Sequence, residues 1–405
     1  MMEGVLALSK HSGIFNGTIH LPKNKSLANR ALILQAQFPQ ISISEQAESA
    51  DSIYLSKALN ATTEHIDVGA GGTTLRFAMA FWAAQPGAHK VLTGTDQLLA
   101  RPMQPLIEAL NALGARVQAQ GDNGHGPFEI EGAQLEGGSL HLGSITSSQF
   151  ITALMLIAPS MAQGLTLFWD QLPSRSYVEM TAAQMTAMGF SVELSTNSLH
   201  IAAAQHIDPL TVALEPDWSA MGFWCEAVAL SNNANLLFPG VVSESLQGDR
   251  KVLDYFEPLG VGAQFTDAGL ILRKKATLSY ANLHFNLENT PDLAQPLITA
   301  MLALRQPFEV HGLQTLPFKE CDRIQALKEL AGSLGITADV TSESILVKEY
   351  PEALTTLAEV QSTREDHRVA MSLAPISILM PLSLSSPEVV AKSYPDFWEH
   401  WGQFL

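Results

Sequence analysis

Two carboxylates in the second half of this chain stand among cations. Asp292 opens an apolar run, and Glu320 lies beside Lys319 and three residues before Arg323. A carboxylate held among cations stays ionised and can act as a base towards a hydroxyl. Taken singly, a helix cap for Asp292 and a local salt bridge for Glu320 explain them equally well. Other polar groups open apolar helical runs: Lys25-Ser26 with Arg30, Gly71-Gly72-Thr73 with Arg76, Ser147-Ser148-Gln149, Asp217-Trp218-Ser219, Pro291-Asp292 and Asp366-His367-Arg368. Helix N-termini offer free N–H groups and a favourable dipole to phosphate and carboxylate. Gly71 and Gly72 let an anion approach the backbone, and Ser147 and Ser148 add hydroxyl donors. Capping accounts for Ser, Thr and Asp but not for the Arg and Lys. Arg101, Arg175, Lys319 with Arg323, and Lys392 stand at or near further helix starts. The set predicts convergence on a small polyanion.

The elements that must position these groups recur as an internal repeat. Each copy reads as an amphipathic helix, a strand, a loop with a basic residue, a second helix ending in Leu-Gly or Met-Gly, and two short strands. Four copies start at Gly72, Ser147, Trp218 and Pro291; a looser copy starts at Ser26 and a truncated one at Asp366. Gly114, Gly189, Gly260 and Gly335 take the same place in the four full copies, where a left-handed residue ends a helix. An α/β fold of six βαβαββ-like units is expected, three per domain. The division is expected near Glu215-Pro216-Asp217, giving a first domain of 22–215 and a second of 1–21 with 216–405. The strand-like run Gly17–Leu21 could join either half.

Composition narrows the partners. The chain has 405 residues, 23 Lys and Arg against 40 Asp and Glu, and a formal net charge of −17, which argues against nucleic acid or an anionic membrane surface. Eight of the 23 basic residues, Lys25, Arg30, Arg76, Arg101, Lys319, Arg323, Arg368 and Lys392, nevertheless fall in the anion-seeking set. Local placement decides here, not net charge. Cys225 and Cys321 form no disulfide framework and no zinc-spaced cluster, so a reducing cytoplasm and no metal are expected. Met1–Gly13 shows no basic stretch leading into a long apolar run, and Pro159, Gln163 and Pro381 interrupt the most apolar segments, so neither an export signal nor a membrane span is expected.

At these residues the chain closely resembles the 5-enolpyruvylshikimate-3-phosphate synthase family. The motifs are LPKNKSLANRALIL (21–34), GAGGTTLRF (69–77), LTGTDQLLARPM (92–103), SSQFITALM (147–155), LPSRSY (172–177), TPDLAQ (290–295), FKECDRI (318–324), REDHRVAM (364–371) and AKSYPDFW (391–398), all in family order. The resemblance implies a two-domain inside-out α/β barrel, each domain of three βαβαββ repeats, closing over its substrates as a monomer. It also implies transfer of the enolpyruvyl group of phosphoenolpyruvate to the 5-hydroxyl of shikimate 3-phosphate, releasing phosphate, in aromatic amino-acid biosynthesis without a cofactor. By match to the motifs, Lys25, Ser26, Arg30, Ser147, Ser148, Gln149, Ser174, Tyr177, Asp292 and Lys319 would contact shikimate 3-phosphate. Lys25, Gly72, Arg101, Gln149, Arg323, Arg368 and Lys392 would contact phosphoenolpyruvate. Asp292 would be the base, Glu320 the proton donor and acceptor at the methylene carbon, and Lys25 an aid at the bridging oxygen.

This chain departs from the family pattern at Ala70 (usually Asn), Phe77 (often Pro or Leu), Lys23-Asn24, Thr315 (often Asn) and Cys321 (commonly Thr). None removes a charged catalytic residue. Two alternatives compete: the sister enzyme acting on UDP-N-acetylglucosamine, and an inactive ligand-binding relative. The first usually carries a reactive cysteine before its Arg-Pro pair, and Thr93–Arg101 has none. Retention of Lys25, Arg101, Asp292 and Glu320 speaks against the second.

Overall fold

A computed structural model describes residues 4–45, 48–145, 147–204, 206–275 and 283–405. The chain forms two compact units, Lys23–Leu214 and Met1–Pro22 with Glu215–Leu405. Each has its own hydrophobic core.

Among the described residues, four four-stranded sheets share one topology, two in each unit. In Lys23–Leu214 one sheet runs His65–Asp67, His89–Thr93, Phe128–Glu131, Arg116–Ala119. The other runs Gly138–His141, Leu165–Phe168, Ser198–Ile201, Val192–Leu194. In the second unit the orders are Ile14–Thr18, Asn233–Phe238, Gly269–Lys274, Val261–Thr266, and Leu283–Asn286, Phe308–His311, Ser344–Val347, Asp339–Val340. In each the first pair is parallel and the other two antiparallel. A helix precedes the second strand every time: Gly72–Ala83, Ser148–Ile157, Trp218–Leu230 and Ala294–Leu304. The looser and truncated copies make smaller sheets, a parallel pair Ile41–Ile43 with Leu210–Val212, and the three strands Val5–Leu8, Leu382–Ser385 and Val360–Gln361.

Sequence pattern explains the packing. Along Phe128–Glu131 and Ser344–Val347 alternate side chains are buried, the period of a strand with one covered face. All thirteen residues of Trp218–Leu230 are buried, as expected of a helix apolar on nearly every side. Gly114, Gly189, Gly260 and Gly335 take φ of +109°, +91°, +88° and +78° after their helices or helical turns, a conformation L side chains resist.

Three expectations are corrected. The strand expected at Gly17–Leu21 lies at Ile14–Thr18 and pairs with Asn233–Phe238, which assigns it to the second unit. Asp292 does not open an α-helix: Pro291 sets a single 3₁₀ turn, Pro291–Leu293, and the α-helix begins at Ala294. In the copy that starts at Trp218, the second helix expected before Gly260 is a 3₁₀ turn, Gly248–Lys251, followed by the short helix Val252–Phe256. Among the described residues no helix is long and apolar enough to cross a membrane.

Candidate active site

In the unit that holds Glu215–Leu405, one guanidinium organises the charged residues. Arg323 opens the helix Arg323–Ser333 and is almost wholly buried. Its Nη1 donates to Asp292 Oδ1 at 3.2 Å and its Nη2 to Glu320 Oε2 at 2.9 Å. Nε and Nη2 also donate to Asp366 Oδ2 and Oδ1, at 2.8 and 3.1 Å. Burial works against this cation, but Asp366, Glu320 and Asp292 together outweigh it and hold the proton more firmly than usual.

The other cations attach to the same carboxylates. Arg368 Nη2 donates to Asp292 Oδ2 at 2.9 Å, Lys392 Nζ lies 2.9 Å from Glu320 Oε1, and Lys319 Nζ lies 3.7 Å from Asp292 Oδ1. Burial lowers the pKa of Lys319, a shift deepened by Arg323 and Arg368 and opposed by Asp292 and Glu320. Among the described residues, Arg323, Arg368, Lys392 and Lys319 thus pair with the carboxylates Asp292, Glu320 and Asp366. Asp366 was legible only as a helix-opening residue. It caps His367–Leu373, accepting from Arg368 N at 2.8 Å, while fixing Arg323.

The unit Lys23–Leu214 gathers a second set. Lys25, first residue of the helix Lys25–Gln37, donates to Asp51 Oδ2 at 2.9 Å. Asp51 was missed from sequence, yet its position was readable: with Leu55 and Leu59 it forms an i, i+4, i+8 buried stripe, where an unpaired carboxylate would be costly. A β-carbon placed on Gly72 would stand 2.6 Å from Arg101 Nη1 and 2.8 Å from Arg76 Nη1, so the missing side chain is what lets both guanidinium groups crowd this helix start. Gln149 Oε1 accepts from Arg76 Nη1 at 2.8 Å, and its Nε2 donates to Thr73 Oγ1 at 3.1 Å, joining the starts of two helices. Ser147 caps Ser148–Ile157 by accepting from Gln149 N.

Arg30 is buried in this unit. It donates to Thr181 Oγ1 at 2.6 Å and Ser26 O at 2.8 Å, and lies 5.5 Å from the centre of the Phe77 ring. Phe77, a departure from the family pattern, therefore offers an aromatic face to a buried cation. Burial brings Arg30 down to about 10, with Tyr177 opposing, so it remains charged at neutral pH. Thr181 Oγ1 donates in turn to Tyr177 O at 2.6 Å. Ser174 holds a left-handed turn, φ +54°, and accepts from Tyr177 N at 3.2 Å. Arg175 acts locally, donating to Glu179 and to the Ser195 and Thr196 carbonyls.

Of the departures, Thr315 Oγ1 is buried with no protein partner among the described residues, and the Cys321 thiol donates to Asp366 Oδ2 at 3.6 Å. Burial, reinforced by Asp366, raises that thiol's pKa, so it is no ready nucleophile. His89, Glu129 and Glu131 are the described residues whose ligand atoms cluster closely enough for a metal, but Arg116 already pairs with Glu131.

Each unit thus carries an α/β scaffold with cations and donors collected at helix starts, the make-up of a protein that handles phosphorylated or carboxylated small molecules. Residues 37–401 match the family of EPSP synthase (3-phosphoshikimate 1-carboxyvinyltransferase), and the chain belongs to that family. A 3-phosphoshikimate 1-carboxyvinyltransferase of Bacteroides fragilis (strain YCH46) is 36% identical over 384 residues, 94% of this chain and 93% of the relative. One from Methanoculleus marisnigri is 31% identical over 339 residues, 82% of this chain and 78% of the relative. Among solved structures, the EPSP synthase of Acinetobacter baumannii has a TM-score of 0.74 at 20% identity, covering 99% of this chain and 98% of that one. The enolpyruvyl transferase NikO of Streptomyces tendae has a TM-score of 0.72 at 15% identity, covering 99% and 97%. These two likenesses concern the fold.

Proposed function

We propose that this chain transfers the enolpyruvyl group of phosphoenolpyruvate to the 5-hydroxyl of shikimate 3-phosphate and releases phosphate, a step of aromatic amino-acid biosynthesis. The observation that carries the residue roles is the hold of one buried guanidinium, Arg323, on both Asp292 and Glu320. That arrangement keeps two carboxylates side by side in a cationic setting, where each can exchange a proton with bound substrate.

Asp292 takes the proton of the 5-hydroxyl as its oxygen bonds to carbon 2 of phosphoenolpyruvate. Glu320, carrying a proton taken up from solvent, gives it to carbon 3, producing a tetrahedral adduct that still bears phosphate. In the second half Glu320 recovers a proton from carbon 3, the carbon–oxygen bond to phosphate breaks, the double bond re-forms, and the proton held by Asp292 leaves with the phosphate. Lys25 stabilises the bridging oxygen as phosphate leaves. Ser26, Arg30, Ser147, Ser148, Gln149, Ser174, Tyr177, Asp292 and Lys319 bind shikimate 3-phosphate, with Lys25. Gly72, Arg101, Arg323, Arg368 and Lys392 bind phosphoenolpyruvate, with Lys25 and Gln149. Within the unit that holds Glu215–Leu405, carboxylates hold Lys319, Arg323, Arg368 and Lys392 in place, which supports a role for these cations towards anionic oxygens.

We further propose the family's inside-out α/β barrel for each unit, a monomer, and a cytoplasmic setting. The repeated four-stranded sheet topology supports the first of these. The test is phosphate release from phosphoenolpyruvate with shikimate 3-phosphate or with UDP-N-acetylglucosamine. Release with the former alone is expected. Release only with the latter overturns the acceptor, and none with either leaves a binding protein.

A further inference from the structure

The unit that carries Asp292 also buries a carboxyl that the proposed reaction does not use. Asp249 lies in the turn Gly248–Lys251 and forms no ion pair within hydrogen-bonding reach among the described residues. The turn is fastened by Gln247, whose Oε1 accepts from Trp218 N at 2.9 Å while its Nε2 donates to Glu215 Oε2 and Pro216 O. Asp249 is thereby set against the start of the helix Trp218–Leu230, where Ser219 Oγ donates to Asp249 Oδ2.

Asp217 at that helix start, Asp292 in the turn Pro291–Leu293, Arg368 in His367–Leu373 and Tyr255 in Val252–Phe256 are near enough for their charges and that of Asp249 to act on one another. Tyr255 in turn lies 3.2 Å from Thr290 Oγ1, two residues before Asp292. Burial first, then the field of Asp292, brings Asp249 up to about 7, against the opposing Ser219 bond and Arg368.

We propose that Asp249 is a positioning residue for the enolpyruvyl-transfer site: as the neutral acid it leaves Arg368 to Asp292, and as the carboxylate it adds a negative charge that opposes the anionic substrate. The inference rests on the reaction proposed above. The proton it loses goes to solvent, and no bond in the substrate is touched. Its ionisation therefore acts on the KM for phosphoenolpyruvate and much less on kcat.

The experiment is a pH series of kcat and KM on the full chain, wild type against Asp249→Asn and Ser219→Ala, with thermal unfolding as the check on folding. Wild type should lose affinity above neutrality and then level off, by about tenfold if bound substrate raises the ionisation by one pH unit. Asp249→Asn keeps an oxygen for Ser219 and should lack that alkaline rise. Ser219→Ala removes a bond that favours the carboxylate, so the rise should move to higher pH. The substrates' phosphates titrate in the same range but equally for every variant, so ratios to wild type isolate Asp249. A merely structural role would scale the curves without moving them. Parallel curves for Asp249→Asn, or a shift to lower pH for Ser219→Ala, overturn the inference. An Asp249→Asn chain that fails to fold leaves Ser219→Ala to decide it. Wild type inactive at every pH fails the reaction itself, and this inference with it.

Discussion

Arg323 and Asp366 meet through two hydrogen bonds, Nε to Oδ2 and Nη2 to Oδ1, with side chains 1% and 0% exposed. A pair this dry is costly to break, because the survivor is left charged and without water. Asp366→Ala also removes the cap of His367–Leu373, and the two losses together should cost about 3 kcal/mol by denaturant unfolding. Asp366→Asn keeps the cap and should lose less. A loss below about 1 kcal/mol for the alanine variant would mean that Glu320 and Asp292 satisfy Arg323 unaided.

Asp292→Asn removes the base and frees Arg368 and Arg323 from one of their anions. Turnover should fall at least about a hundredfold while phosphoenolpyruvate binds as well as before or more tightly. Single-turnover phosphate release beside equilibrium binding separates the two. Wild-type turnover in this variant would remove Asp292 from the chemistry.

Gly72→Ala places a methyl group where the Arg101 and Arg76 guanidinium ends now lie. Moving the buried Arg76 end breaks its bonds to Gln149 Oε1 and Gly72 O, so thermal unfolding should fall modestly. The displaced donors should raise the KM for phosphoenolpyruvate about tenfold or more, the value of one charge-assisted hydrogen bond. An unchanged KM would show that Arg101 reaches substrate from elsewhere.

Glu226 lies in the middle of the wholly buried helix Trp218–Leu230, and neither carboxyl oxygen has a hydrogen-bond partner among the described residues. Burial pushes its pKa well above the carboxylate range. Below about pH 4 it is protonated folded or unfolded and has no effect on the balance. Above that, the unfolded chain ionises while the native chain does not, so stability falls with rising pH by about 1.4 kcal/mol per unit until the native carboxyl also ionises. Glu226→Gln cannot ionise. The stability difference between this variant and wild type should therefore grow from about pH 4 upward. A difference independent of pH would mean that Glu226 is solvated in the native state.

The repeat was legible in the chain because helix and strand periods, and glycines at helix ends, are local properties: Gly114, Gly189, Gly260 and Gly335 are needed wherever a helix turns left-handed. The charged residues of the site were legible for a related reason. A cation at a helix start has no purely local purpose, which marks Lys25, Arg76, Arg323 and Arg368. Which anion each one meets could not be read, because Asp51 lies 26 residues from Lys25, and Asp366 lies 43 from Arg323. Ordinary capping would explain Asp366, and nothing in its neighbourhood along the chain distinguishes that role from the second. Arg175 shows the converse: alike in sequence to the other cations, it is consumed by Glu179 and two nearby carbonyls. Residue type and spacing along the chain determined which groups could do chemistry and the elements that carry them. Only the tertiary structure decided their pairing and burial, because Coulomb energy depends on distance through space and on the water excluded around each charge.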